Sequence, residues 1–541
     1  MQVRDLIVSL SNQSDSDHDN IRLYIKCTVG MQQLYMPFLS RSEQAFLEAV
    51  SGAAFSNPFL PEHTQFERAA LGKDFEDAEP LWSLPVDQPD RPRANVLRIA
   101  QRLEPLAASL RARVTPAVPV PHLKLYEDAI LQLLYQRYYP QIAKSNWSCY
   151  KDFLQDWRHF LAIPGVTLPS GHQPAHTFAC FRQLQRAFDQ ILRDIIGGSL
   201  PAARLRASIW QSIFTHDMRR YWRTLYSRMG EFVTLITGPS GTGKELAARA
   251  IAQARYLPFD ERTLRFEGDQ QPIFFPINIS ALSPTLVESE LFGHRRGSFT
   301  GAIADRKGWL EMCPAHGSVF LDEIGDLDPG IQVKLLRVIE TRTFHAVGES
   351  TTREFKGKLI AATNRDLAAR MKDGLFREDL YYRLCSDQIV TPPLSDQLRE
   401  SPQILNELVL YMSRRVAGSG APDLASDVTR EVISWIEDNL PPHYPWPGNY
   451  RELEQCVKNV LIRRDYRPSQ TWPGVSSNIS ADISMEELQR DFSAGRLKAE
   501  DLICLYASHV YRQTGSYEET ARRIGLDRRT IKSKVDKLKL T

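Results

Sequence analysis

The chain has 541 residues, enough for three or four domains of about 150 residues each. Its 67 Lys and Arg residues nearly balance its 65 Asp and Glu residues, so the formal net charge is +2, and 43% of the residues are hydrophobic. This composition excludes an intrinsically disordered chain, and no run reaches the ~18 consecutive apolar residues of a membrane-spanning helix.

The cysteines point to a reducing compartment. There are 7 of them, all single, with no C-x-x-C spacing. This pattern predicts reduced, buried thiols and argues against a disulfide framework or a zinc site. The first residues, MQVRDLIVSLSNQSDSD, lack the basic and apolar regions of a secretory signal. We therefore expect a cytoplasmic protein with no membrane partner.

Residues 1–200 are predicted to form a mainly helical domain. Residues 6–10 and 23–27 are candidate short strands, and apolar residues then recur at helical spacing in 122–144, 149–162 and 177–195. The histidines of this region are scattered, without metal-ligand spacing. We assign the domain a regulatory or sensor role from its position alone.

Residues 205–465 alternate apolar strand patterns with helical stretches. The strand candidates are FVTLIT, PIFFPIN, GSVFLDE and GKLIAATN, at 232–237, 272–278, 317–323 and 357–364. Strands that alternate with helices favour a parallel sheet covered on both faces. The predicted fold is therefore a multidomain α/β protein with a helical N-terminal domain.

A phosphate-binding loop follows the first of these strands. Its residues are Gly238, Pro239, Ser240, Gly241, Thr242, Gly243, Lys244 and Glu245. A glycine-rich turn between a strand and a helix directs backbone N–H groups at a phosphate, and the lysine reaches the β- and γ-phosphates. The usual motif ends in Ser or Thr, whose hydroxyl binds Mg²⁺; Glu245 departs from it.

Two later strands also end in polar side chains. Asp322 and Glu323 follow one, where a carboxylate can hold Mg²⁺ and its neighbour can activate water. Thr363 and Asn364 end the other, where they can sense the γ-phosphate. An acidic pair after a strand more often lies in a solvated turn, and a Thr-Asn pair at a strand end usually just forms a turn. The phosphate loop upstream favours the functional interpretation.

Three arginines are candidates for contacts with nucleotide. Arg377 and Arg383 lie six residues apart in a helical stretch, and Arg451 begins a helix after a tight turn. Such arginines are usually surface ion-pair residues. In a ring-forming ATPase, Arg377 and Arg383 can instead reach the neighbouring subunit's nucleotide and neutralise transition-state charge.

The C-terminal residues predict a DNA-binding helix-turn-helix. After the Pro- and Ser-rich linker 466–483, residues 520–541 carry eight basic side chains against Asp527 and Asp536. Ala521 is small enough for a helix crossing, Gly525 suits the turn, and Asp527 is a good N-cap. The second helix would present Arg528, Arg529, Thr530, Lys532 and Lys534 to a major groove.

Together these motifs resemble the AAA+ module of bacterial sigma-54-dependent transcription activators. The resemblance covers about 205–465, and 484–541 separately resembles the Fis-type helix-turn-helix of these proteins. Its most specific part is Glu290-Leu-Phe-Gly-His294, followed by Gly297, Ser298, Phe299, Thr300, Gly301 and Ala302. A Lys-Glu ending to the phosphate loop is this family's own form.

The resemblance implies a role for each candidate residue. The loop around Lys244 binds ATP, Asp322 serves Mg²⁺ and Glu323 activates water, while Asn278 binds Glu323 and switches it. Thr363 and Asn364 form the first sensor and Arg451 the second. Arg377 and Arg383 act in a neighbouring subunit. The loop from Gly297 to Ala302 contacts sigma-54, with Phe299 and Thr300 at its tip.

At the level of the whole chain, the resemblance implies an AAA+ core at 205–390 and a helical lid at 391–465. It also implies a dimer or hexameric ring that binds double-stranded enhancer DNA and remodels the sigma-54 RNA polymerase holoenzyme at closed promoters.

The chain departs from the family at three places. Ser298 replaces alanine, Ala346 stands where arginine is frequent, and residues 255–271 lengthen a connection without evident purpose. Two alternatives therefore stay open: a DNA-tethered AAA+ remodeller of another protein, and a repressor with a vestigial ATPase.

Overall fold

A computed structural model of the chain describes residues 37–77, 93–269, 271–418, 422–468 and 499–539. The chain divides into two compact units between Glu454 and Gln455. The strands predicted at 6–10 and 23–27 and most of the predicted linker lie outside the described residues. In the part of the chain that is described, no helix is long and apolar enough to cross a membrane.

The N-terminal part is helical, as its periodicity predicts. Its helices are α1 (Arg41–Phe55), α2 (Pro61–Leu71), α3 (Ala94–Arg113), α4 (Val120–Ala143), α5 (Tyr150–Leu161), α6 (Pro174–Asp194) and α7 (Leu200–Phe214). Local sequence sets several of their starts: Ser40 and Glu43 form a capping box at α1, and proline occupies the first turn of α2, α4, α6 and α7. A helical turn, Met218–Arg220, and a π-helical segment, Tyr221–Leu225, then lead to the sheet.

A five-stranded parallel sheet forms the centre of the first unit, and two short hairpins accompany it. The strands are β1 (Thr234–Thr237), β2 (Phe259–Asp260), β3 (Arg265–Phe266), β4 (Phe274–Asn278), β5 (Ser318–Asp322), β6 (Thr343–Phe344), β7 (Arg353–Glu354), β8 (Lys358–Thr363) and β9 (Asp387–Val390). The sheet order is β4-β5-β8-β1-β9. The strands predicted at 232–237, 272–278, 317–323 and 357–364 are thus confirmed.

The remaining helices cover the sheet and continue beyond it. Apart from a single helical turn, Trp309–Met312, they are α8 (Lys244–Gln253), α9 (Pro284–Phe292), α10 (Pro329–Thr341), α11 (Leu367–Lys372), α12 (Glu378–Leu384), α13 (Leu394–Glu400), α14 (Ile404–Ala417), α15 (Pro422–Asn439) and α16 (Asn449–Arg463). Helices α13 to α16 occupy the region predicted as a helical lid. The fold class, a multidomain α/β protein with a parallel sheet and a helical N-terminal part, is confirmed.

Each face of the sheet has its own buried cluster, because successive strand residues point to opposite faces. Ile236, Phe320 and Ile360 belong to the cluster that contains α8 and the N-terminal helices. Leu235 and Leu321 belong to the other cluster, with α9, α10 and α12. The N-terminal helices therefore share a core with the sheet, and this core crosses the boundary predicted near residue 200.

The long connection at 255–271 forms the antiparallel β2–β3 hairpin. Its two phenylalanines pack on aromatic side chains of the N-terminal part: the Phe259 and Tyr150 ring centroids are 4.7 Å apart, and those of Phe266 and Trp147 are 5.0 Å apart. The insertion thus contacts the N-terminal helices directly.

The second unit contains the three C-terminal helices α17 (Ala499–Thr514), α18 (Tyr517–Ile524) and α19 (Arg528–Lys539). They pack around Ala507, Ala521, Ile531 and Val535. Gly525, with φ +77°, ends α18, and its N–H donates to the Ala521 carbonyl at 2.9 Å. The helix crossing at Ala521 and the turn at Gly525 agree with the sequence prediction.

Candidate nucleotide-binding site

The glycine-rich loop 238–243 connects β1 to α8, and its backbone needs glycine. Gly241 has φ +78° and Gly243 has φ +91°, both in the left-handed region. A Cβ on Gly238 would lie 2.2 Å from Thr391 Oγ1, and one on Gly241 would lie 2.3 Å from the Gly448 carbonyl oxygen. The loop is therefore closely surrounded by protein on two sides.

Lys244, the first residue of α8, lies inside this loop. Its side-chain Nζ donates to the carbonyl oxygens of Gly238 at 3.0 Å and Pro239 at 3.1 Å. Burial lowers the pKa of Lys244, and the negative charges of Glu323 and Asp322 act against that shift. The sheet thus brings the predicted lysine and both predicted carboxylates together at its carboxyl edge.

The two carboxylates lie in different local environments. Burial raises the pKa of Asp322, and the charge of Glu323 acts in the same direction. Glu323 has φ +56°, a conformation that is uncommon for residues other than glycine. Its N–H donates to Asp322 Oδ1 at 3.1 Å, and its Oε2 accepts the backbone N–H of Asn364 at 3.1 Å. A strained backbone therefore directs Glu323 toward the end of β8.

In the structure, Asn278 and Glu323 each have a hydrogen-bond partner other than the one predicted. Asn278 ends β4, directly opposite Asp322 of β5 in the sheet register. Its Oδ1 accepts a hydrogen bond from the Ser280 hydroxyl at 2.8 Å, while Glu323 is held by Asn364. Both side chains follow neighbouring parallel strands, so they lie at the same edge; their direct contact stays a prediction.

Thr363 and Asn364 end the strand next to β1. Thr363 is buried and pairs in register with Thr237, and its hydroxyl accepts the N–H of Arg365 at 3.0 Å. Asn364 is exposed. Both are thus placed at the same sheet edge as Lys244.

The first turn of α16 is fastened to the phosphate loop. Arg451 Nη1 donates to the Ser240 hydroxyl at 3.0 Å, and the Tyr450 N–H donates to the Gly241 carbonyl at 3.1 Å. Asn449, buried and with φ +53°, donates to the Ser240 carbonyl at 2.9 Å and accepts the Leu394 N–H at 2.8 Å. Sequence analysis missed Asn449, although a polar residue between Gly448 and a helix start was the available signal.

Arg377 and Arg383 lie on a different surface. Arg377 precedes α12 and pairs with Asp379 at 2.6 Å, and Arg383 pairs with Glu340 at 3.1 Å. All four side chains are substantially exposed, so these ion pairs contribute little to the stability of the fold. Neither arginine bonds to the phosphate loop of its own chain among the described contacts.

The loop at 297–302 follows α9, whose buried residues pack on one face of the sheet. Gly297 and Ala302 close it with a 2.9 Å backbone hydrogen bond, and Gly297 and Gly301 have φ of +79° and +101°. The half-buried Phe299 ring lies 4.9 Å from the His294 ring, and Thr300 is exposed. Ile303, just after the loop, is 84% exposed.

A second loop, at residues 346–349, forms backbone hydrogen bonds with the residues just before loop 297–302. The Arg295 N–H donates to the Val347 carbonyl at 3.0 Å, and the Val347 N–H donates to the Gly293 carbonyl at 2.9 Å. The Arg295 side chain also pairs with Glu349. Ala346, where the family often has arginine, is buried. The two loops are therefore joined without an arginine at that position.

The predicted ligands of Mg²⁺ fit a hard cation only in part. Asp322 supplies carboxylate oxygens, which Mg²⁺ prefers. In the described part of the chain, no group of three or more His, Cys, Asp or Glu side chains could hold a metal ion. A magnesium ion here would therefore need phosphate oxygens and water as its other ligands. Glu245, which replaces the usual hydroxyl, pairs with Arg249 on the surface of α8.

The basic residues predicted to bind DNA lie on α19. Asp527 Oδ1 accepts the N–H of Arg529 at 2.8 Å and so caps this helix. Arg528, Arg529 and Lys532 are exposed, Thr530 and Lys534 are half-buried. Arg528 is 3.4 Å from Glu518 of α18.

Residues 215–390 match the family described as "Sigma-54 interaction domain". The chain is 38% identical to the luminescence regulatory protein LuxO of Vibrio campbellii, over 46% of this chain and 50% of LuxO. It is 42% identical to the Nif-specific regulatory protein of Herbaspirillum seropedicae, over 43% of this chain and 39% of that protein. It is 37% identical to the transcriptional regulatory protein ZraR of Klebsiella oxytoca, over 56% of this chain and 63% of ZraR. The chain thus spans less than two thirds of each relative.

Among solved structures, NtrX from Brucella abortus in complex with ATP aligns over 71% of this chain and 79% of its own, at 22% identity and a TM-score of 0.38.

Proposed function

Because residues 215–390 match the sigma-54 interaction domain family, we propose that the chain is an ATP-dependent activator of transcription by sigma-54 RNA polymerase. The observation that carries this proposal is that three predicted site residues lie close together in one sheet. Lys244, Asp322 and Glu323 lie together at its carboxyl edge. The loop 297–302 extends from the same module.

In this proposal ATP is the substrate. Backbone N–H groups of 238–243 and the Lys244 ammonium bind its phosphates, and Arg451 approaches from the first turn of α16. Asp322 would hold Mg²⁺, which neutralises phosphate charge when bound. Glu323 accepts the proton of the attacking water. The Glu323 carboxylate then breaks its hydrogen bond with the Asn364 N–H. We assign the Asn278 side chain as the next group that binds this carboxylate.

Hydrolysis in this scheme needs a second copy of the chain. Arg377 and Arg383 are exposed and form only surface ion pairs in their own chain. Both can exchange those partners at little cost and reach the nucleotide of a neighbour. We therefore propose a homo-oligomer, from a dimer to a hexameric ring, whose subunits complete each other's sites.

The partners follow from the two surfaces that remain. Phe299 and Thr300 of loop 297–302 would contact sigma-54, and the paired loop at 293–295 and 347–349 would hold them in place. Arg528, Arg529, Thr530, Lys532 and Lys534 of α19 would bind double-stranded enhancer DNA in a major groove. We place this activity in the cytoplasm, where sigma-54 RNA polymerase is.

The test uses the full chain with ADP and aluminium fluoride, which mimic the transition state. We expect capture of sigma-54 with the analogue and none with ADP. Phe299→Ala should weaken capture by about 30-fold, the effect of removing a buried aromatic contact, while ATP hydrolysis stays within about twofold. Ser298→Ala is the matched control, because the buried Ser298 Oγ finds no hydrogen-bond partner among the described residues. It should keep both activities.

The other outcomes separate the alternatives. ATP hydrolysis without capture of sigma-54 would favour an AAA+ remodeller of a different protein. DNA binding without any hydrolysis would favour a repressor with a vestigial ATPase. Capture that survives Phe299→Ala would show that the loop is not the contact.

A further inference from the structure

A cavity of about 720 Å³ lies between α4, the residues that precede α6 and the segment 216–224 that leads into β1. This volume lies within the usual range for small-molecule sites. Phe55, Leu131 and Pro169 supply apolar wall, and most of the remaining lining residues are charged or polar. Part of the wall is the π-helical segment Tyr221–Leu225, a rare conformation that often occurs at functional sites.

The charged groups of the cavity are not balanced. Arg219 pairs with Asp128 at 2.7 Å and stacks on the Phe55 ring at 4.1 Å, and Arg220 lies 3.8 Å from Asp217.

Glu127 is buried and accepts hydrogen bonds from the Ser170 N–H and hydroxyl. Lys124 and Arg223 also line the cavity, and within the described residues neither forms a hydrogen bond or an ion pair. Two cations therefore face the cavity without a bonded anion.

We propose that this cavity binds a small organic carboxylate, whose apolar body lies on Phe55 and Leu131 and whose carboxylate is held by Lys124 and Arg223. A guanidinium matches the two oxygens of a carboxylate in geometry, and an ammonium adds a second charge. The apolar wall favours a hydrocarbon or aromatic body over a compact inorganic ion. The site is independent of the nucleotide chemistry, so its test does not depend on ATP hydrolysis.

The position of the cavity suits a sensor. Its π-helical wall contains Trp222, whose carbonyl accepts His176 Nε2 at 2.8 Å. The other ring nitrogen of His176 is 2.9 Å from the Tyr256 hydroxyl, and Tyr256 follows α8 in the chain. Helix α8 begins at Lys244 of the phosphate loop. A ligand that tightens segment 216–224 against α4 therefore acts on a contiguous set of contacts that reaches α8.

The test measures binding to the full chain by calorimetry and by thermal unfolding. The probes are the carboxylates benzoate and phenylacetate, with benzylamine, benzyl alcohol and inorganic phosphate as matched comparisons. We expect saturable binding of at least one carboxylate, with Tm raised by about 3 °C at saturation, and no effect of benzylamine or benzyl alcohol. Arg223→Ala and Lys124→Ala should each weaken that binding by about tenfold, and Arg223→Lys by less.

Arg228→Ala is the control, because Arg228 is exposed, pairs with Glu231 and does not line the cavity. The Arg228→Ala chain should bind the carboxylate with the same affinity as the unchanged chain. Because Lys124 and Arg223 are exposed, both alanine variants should fold, which Tm without ligand will show. The proposal is overturned if no carboxylate binds at about 10 mM, if phosphate alone binds, or if the double variant Lys124→Ala, Arg223→Ala binds with unchanged affinity.

Discussion

Arg182 of α6 is the residue whose substitution best tests how the β2–β3 hairpin is attached to the N-terminal helices. Its guanidinium lies 4.3 Å from the ring centroids of both Trp147 and Phe266, and it pairs with Asp269. The Arg182 side chain is only 10% exposed, whereas that of Asp269 is 33% exposed. One side chain thus joins α6, the residues before α5 and the C-terminal part of the insertion.

The expected magnitude follows from these contacts. Each partly desolvated cation–π contact contributes about 1 kcal/mol. The ion pair adds less than about 1 kcal/mol because Asp269 is partly solvated, and loss of the packed aliphatic stem adds a similar amount. Arg182→Ala should therefore lower the free energy of local unfolding of the hairpin by about 2–4 kcal/mol.

Amide hydrogen exchange of residues 259–266 in the full chain is the assay. A loss of about 2 kcal/mol corresponds to exchange about 30-fold faster through local opening. Arg182→Met, which keeps the stem but not the charge, should give a smaller increase. Arg193→Ala is the matched control, because Arg193 lies on the same helix with its side chain 62% exposed. Exchange in Arg182→Ala equal to that in Arg193→Ala would refute the reasoning.

Two further predictions concern the lid and the N-terminal part. Asn449→Ala removes two buried hydrogen bonds, to Ser240 and Leu394, so it should destabilise the chain by about 2 kcal/mol and raise the KM for ATP; an unchanged KM would show that Asn449 does not position the loop. Burial and the charges of His176 and Arg223 lower the pKa of His172 to about 4, so between about pH 6.5 and about pH 4 the unfolded chain binds this proton more readily than the folded chain does. Stability should therefore fall as pH drops from about 6.5 to about 4, by at most about 2 kcal/mol at about pH 5, and His172→Gln should flatten the dependence of Tm on pH; equal slopes would exclude His172 as the cause.

The candidate nucleotide-binding residues could be found in the sequence because their signals are local. Gly238 to Lys244 follow a buried strand and begin a helix, and Asp322 and Thr363 each end an apolar strand. Since the strands of such a sheet are parallel, their carboxyl ends lie at one edge, and the side chains that follow them are brought together. The Ala521–Gly525 spacing is equally local, and the turn it predicts is present.

The contacts that join distant parts of the chain were decided only by the tertiary structure. No periodicity indicates that Phe259 of the insertion packs on Tyr150, or that the N-terminal helices share a core with one face of the sheet. Nor could the sequence show that Glu323 accepts the Asn364 N–H and not a bond from Asn278, since both are available at the same edge. The hydrogen bonds within a strand, turn or helix depend on residues that are close in the sequence, so the sequence by itself determined these elements. Pairing of surfaces depends on shape and desolvation over the whole fold, and this only the folded chain decided.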